Sequence, residues 1–161
     1  MGAAKNMVKG FLFMIGYVGF TIIVPFITFS WIRTLEISGI ELGLTQQGYE
    51  NIIFWVVAFG LLISGCSFFT YSAPKQSIRK GVFALIQIIL NCMYLWSYKF
   101  SGATAVEFEI ILYDGFVTIN LEQMVLIYMG IYFLTIAIKI YDLVDFTINR
   151  DKIRQKRWGR E

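Results

Sequence analysis

Histidine is absent from this chain, cysteine occurs only twice, and charged residues make up 16% of the 161 positions. Without histidine, the chain alone cannot ligate haem or a metal through imidazole. Nor can it build a Ser-His-Asp or Cys-His nucleophile system. Cys66 and Cys92 stand isolated in apolar surroundings. With no Cys-x-x-Cys spacing, a thiol oxidoreductase is not expected. The formal net charge of +3 is too small to imply nucleic-acid binding. Charge this scarce, with 17% aromatic residues, also excludes a disordered chain, which is rich in charge and poor in aromatics.

What is present is apolar surface. Hydrophobic residues are 57% of the chain, and mean hydropathy is +0.65. A soluble domain this small could not hide so much apolar surface in one core. The sequence therefore reads as an integral membrane protein of the all-α class, a bundle of four transmembrane helices at about 10–32, 52–72, 82–100 and 125–146. Each has roughly the 20 residues that a helix needs to cross the hydrocarbon. The first stretch follows Lys5 and Lys9, but its apolar run is too long for a signal peptide and no small-x-small cleavage site follows it. Residues 1–146 form a single membrane domain and 147–161 a basic tail. A disulfide between Cys66 and Cys92 would have to form within the bilayer.

Lysine and arginine set the expected orientation. Lys5 and Lys9 precede the first span, Lys75, Arg79 and Lys80 lie between the second and third, and the tail carries Arg150, Lys152, Arg154, Lys156, Arg157 and Arg160. The other two links hold only Arg33 and, at a span edge, Lys99. The positive-inside rule then places both termini in the cytoplasm.

The two outer links alternate apolar and polar residues. Residues 105–122 contain Asp114-Gly115, a strong signal for a two-residue hairpin turn. Pairing outward from that turn sets Leu112 opposite Val117, Ile110 opposite Ile119 and Phe108 opposite Leu121. Residues 34–45 show a weaker version, with a turn at Ser38-Gly39 pairing Ile37 with Ile40 and Leu35 with Leu42. Side by side, these two extracytoplasmic β-hairpins would make a small sheet.

Polar residues inside the spans are the candidate contacts. Thr21, Pro25 and Thr28 share a face of span one, and Pro25 cannot donate to the carbonyl of Thr21, so a kink is expected. Gly60, Ser64 and Ser67 make a small-residue stripe that permits close helix approach. Gln87 and Asn91 lie one turn apart on span three, with Asn91 near the bilayer midplane, where an amide needs a partner. Lys139 is the only charge well inside a span, with Asp142 a turn away for pairing. The tail residues Arg150, Lys152, Arg154, Lys156, Arg157 and Trp158 suit an anionic lipid surface or a cytoplasmic partner. No acid, base, nucleophile, metal or cofactor site is evident, so an enzyme is not expected. The expected role is a small membrane subunit that assembles with itself or with a membrane complex, with the outer sheet and the basic tail as contact surfaces. The alternative is a subunit of an oligomeric channel or pore, lined by the spans that carry Asn91 or Thr21.

Overall fold

The computed structural model of the chain describes residues 3–34, 40–42, 46–74, 77–101, 105–110, 115–120 and 122–149. Four helices among these are long and apolar enough to cross a membrane: Ala4–Thr34, Gln46–Ser72, Ile78–Phe100 and Glu122–Ile148. The first is built in three parts. Helix α1 (Ala3–Val18) leads through a π-helical turn, Gly19–Ile23, into α2 (Val24–Thr34). The other three spans are α3 (Gln46–Ser72), α4 (Ile78–Phe100) and α5 (Glu122–Ile148).

Every span is longer than its apolar stretch. Span one takes in Lys5, Lys9 and Arg33, and span four begins at Glu122 and runs past Phe146. Helical hydrogen bonding does not stop where hydrocarbon ends, and at 1.5 Å per residue the 31 residues of span one reach about 46 Å, the full bilayer with its headgroups. Helix α4 starts earlier than the apolar run because Ser77 caps it. Its backbone is extended (φ −107°, ψ 141°), and its hydroxyl oxygen accepts from the Lys80 amide at 3.2 Å. That bond satisfies one of the orphan donors of the first turn.

The helices pack in chain order. Helix α1 lies against α3, α3 against α4, and α4 against α5, while no comparable packing joins α1 to α5. Close approach is made by small residues. A Cβ on Gly10 would stand 2.8 Å from Ser72 Cβ, and one on Gly60 would collide with Ile22 and meet the Thr21 carbonyl oxygen at 3.2 Å. The Phe13 and Tyr71 rings stack at 3.8 Å across the α1–α3 contact.

The interior is the reverse of a soluble core. Among the described residues the buried apolar side chains are Ile52, Val56, Ile63 and Cys92, whereas Ser64, Ser67, Thr70, Gln87, Ser97 and Ser101 are buried polar ones. Phe20, Leu134, Phe133, Ile127 and Trp31 lie on the perimeter, each more than half exposed. The serine and threonine hydroxyls of α3 are spent locally. Ser64 donates to the Gly60 carbonyl at 2.7 Å, Ser67 to that of Ser64 at 2.8 Å and Thr70 to that of Cys66 at 2.9 Å. They therefore pack as small residues with no unmet polarity. Cys66 and Cys92 are free thiols.

Between the spans lie three short strands, β1 (Ile40–Leu42), β2 (Ala105–Ile110) and β3 (Gly115–Asn120), in the order β1-β2-β3 with both pairings antiparallel. One detail differs from the sequence reading. In the second link Val117 pairs with Phe108 and Gly115 with Ile110, so Gly115 sits in the ladder and Asp114-Gly115 is not the centre of a two-residue turn. Residues 111–114, between the two strands, lie outside the described residues. The shift of four is even and keeps the alternation in phase, which is why the pattern alone did not exclude it. In the first link, β1 pairs with β2 through Ile40–Ile110 and Leu42–Phe108, so the two links share one sheet, and the other strand expected there, residues 35–37, lies outside the described residues. The Ser38-Gly39 turn lies outside them.

Candidate functional site

The most developed polar arrangement in the spans grows from one missing proton. Pro25 has no backbone N–H, so the Thr21 carbonyl loses its usual helical partner. The chain widens into the π turn just before it, where the Val24 amide reaches back five residues to the Gly19 carbonyl. Such turns mark a break in the helical ladder and occur often at functional positions. The Thr21 carbonyl is then taken by span three: the Tyr94 hydroxyl donates to it at 3.0 Å. Tyr98, one turn further along α4, donates its hydroxyl to that of Tyr94 at 2.7 Å. The Thr21 hydroxyl donates to the Tyr17 carbonyl at 2.7 Å, with the Gly60 carbonyl at 3.5 Å. Gly60 makes this possible, because its bare Cα lets α3 come against Ile22 and the Thr21 carbonyl.

Aromatic rings enclose this polar thread. Phe59 lies 6.4 Å from Tyr94 and Phe29 lies 6.0 Å from Tyr98. Beyond Phe59, an open apolar pocket of about 240 Å³ is lined by Trp55, Phe59, Met93, Trp96, Ser97 and Phe100. In a low dielectric, an unfilled carbonyl costs more than it would in water, so the Tyr94 hydroxyl and Pro25 act as a matched pair.

The other sequence candidates lie apart from it. Asn91 is one turn before Tyr94 on α4 and is half-buried, and Gln87, two turns before, is buried. Among the described residues neither amide forms a hydrogen bond, although no side-chain nitrogen or oxygen is sealed from the surface without a partner. Lys139 is on α5, partly exposed, with its ammonium 3.4 Å from the Asp142 carboxylate. Thr28 turns its hydroxyl back to the Val24 carbonyl at 2.9 Å. The tail candidates Arg150, Lys152, Arg154, Lys156, Arg157 and Trp158 lie outside the described residues. At the sheet end, Lys99 and Glu122 form an ion pair at 2.6 Å that ties the end of α4 to the start of α5.

Tyr94 and Tyr98 escaped the sequence reading because tyrosines near a span end are ordinarily interfacial anchors. Their spacing of four on one helix face was the available signal. Among the described residues no group of three or more histidine, cysteine or acidic side chains converges on a metal-sized site. The chemistry the site offers is hydroxyl and carbonyl hydrogen bonding within an aromatic, apolar shell. Comparison with family models, with curated proteins and with solved structures gives no match to this chain.

Proposed function

We propose that this chain is a small polytopic integral membrane subunit, with both termini in the cytoplasm, that assembles with itself or with a membrane complex. The observation that carries the reading is Asn91. It is half-buried near the middle of α4, and its amide has no hydrogen-bond partner among the described residues. An amide facing hydrocarbon is unfavourable, and the same face of a second copy, or a polar face of another subunit, would supply the missing donor and acceptor. Such interhelical bonds contribute about 0.6 kcal/mol on average, enough to orient an association that van der Waals packing drives. The sheet formed by β1, β2 and β3 is the proposed contact surface outside, and the basic tail the one inside.

Mass measurement in mild detergent and in nanodiscs tests this. The expected result is a species larger than one chain, with Asn91→Leu shifting it towards smaller ones. A monodisperse single chain in every condition sinks the proposal, and with it the channel alternative, because a lining shared between subunits needs subunits. Orientation has its own test in intact cells. A cysteine at Gln47 or Gly102 is expected to react with an impermeant thiol reagent and one at Gln76 or Gln155 is not. Labelling at Gln155 reverses the topology.

A further inference from the structure

A groove of about 600 Å³ runs along α1, lined by Leu12, Phe13, Gly16, Tyr17, Phe20 and Thr21. Its floor is Gly16, where a Cβ would meet nothing within 4 Å. That floor therefore carries no side chain, and the lining residues all belong to span one. From Leu12 to Thr21 is nine residues, or about 13 Å of helix, close to the depth of one leaflet of hydrocarbon. The deep end closes at the π turn, Gly19–Ile23.

The shallow end is positive. Lys5, Lys9, Phe13, Gly16 and Phe20 recur every three or four residues and so share one face of the helix. The Lys9 ammonium stands 5.7 Å from the centre of the Phe13 ring, which is itself a wall of the groove. Depth is fixed independently. Gly10 packs on Phe68 and Ser72, and Ser72 is the last residue of α3, so Lys9 lies level with the end of the neighbouring span. Arg79 and Lys80 begin α4 on the same side. The acidic residue of α5 nearest that end of the span, Asp145, is engaged by the Asn149 amide at 2.7 Å, and Asp142 by Lys139.

We propose that this groove holds one anionic phospholipid of the leaflet on the amino-terminal side, its phosphate at Lys5 and Lys9 and one acyl chain over Gly16. Length, depth and charge all match that occupant. A helix of another chain would need about 8–10 Å between axes and would have no use for the two lysines. The site is independent of the assembly reading, which is measured by protein mass rather than by bound lipid.

Native mass spectrometry of the full chain in mild detergent tests it, with equal amounts of phosphatidylglycerol and phosphatidylcholine carrying identical acyl chains. The unaltered protein is expected to retain one phosphatidylglycerol in preference. Lys9→Gln lowers that retention about fivefold and leaves phosphatidylcholine unchanged. Gly16→Leu lowers retention of both lipids about tenfold by raising a side chain from the floor where the acyl chain would lie, with helicity and assembly mass unchanged. Equal retention of the two lipids by the unaltered chain overturns the headgroup assignment. Full retention by Gly16→Leu overturns the groove. A changed assembly mass in Gly16→Leu shows that protein covers this face, and overturns the proposal as well.

Discussion

Spans two and four look alike as sequence and differ in how deeply they are packed. Each is a helix of 27 residues, long and apolar enough to cross a membrane. Yet α3 buries Ile52, Val56, Gly60, Ile63, Ser64, Ser67 and Thr70, whereas α5 buries none of its residues. Hydropathy measures the tendency to leave water, which both helices share. Position within a bundle is decided by how closely other backbones can approach, and there the two part. The buried face of α3 alternates small residues with branched ones, while α5 presents Leu, Ile, Phe and Tyr around most of its circumference. In hydrocarbon a large apolar side chain gains little by turning inward, because lipid solvates it equally well. Small residues are drawn inward because contact with another helix is what they allow.

That contrast is open to attack at several points. The largest expected effect is at Gly60. Gly60→Leu drives a side chain into Ile22 and the Thr21 carbonyl, an overpacking expected to cost about 1–3 kcal/mol or more in unfolding measured in detergent. The matched change on α5, Gly130→Leu, enters open space and should stay within about 0.5 kcal/mol. Comparable losses at the two sites would erase the distinction between central and peripheral spans.

A smaller effect sharpens what the central span's neighbours contribute. Tyr94→Phe leaves the Thr21 carbonyl without its partner and is expected to cost about 0.6–1.7 kcal/mol. In a Pro25→Ala background an amide is again available to that carbonyl, so the cost of Tyr94→Phe should shrink towards zero. A double-mutant cycle reads this coupling directly. Strictly additive losses would mean that the hydroxyl is not filling the gap that proline leaves.

The smallest expected effect lies at the sheet end. Lys99 and Glu122 are both about two-fifths exposed, so solvent screens the pair, and Lys99→Met should cost about 0.2–1 kcal/mol. The loss should fade in high salt if the attraction between them is its cause. A salt-independent loss would instead assign the role of Lys99 to packing of its stem.

Much of this was legible beforehand, for reasons that can be stated residue by residue. The Gly60-Ser64-Ser67 stripe announced a close contact because small residues at helical spacing have one main use in a membrane. The break near Pro25 followed from a missing amide proton. The register of β2 and β3 was not legible, since any even shift satisfies the same alternation, and Gly115 stands in the ladder opposite Ile110. Gln87 and Asn91 were legible as polar, but whether the bundle satisfies them depends on what faces α4.

Sequence alone determined which four segments are long and apolar enough to cross a bilayer and where a helix must break, because hydropathy and a proline's lost donor are properties of a single stretch of chain. Tertiary structure decided which helix became the central one, where the freed carbonyl of Thr21 would find its hydrogen, and that the side chain absent at Gly16 would leave an open groove. Those outcomes belong to pairs of segments. Tyr94 lies 73 residues from Thr21, and no local pattern can encode a bond whose two ends meet only when the helices pack.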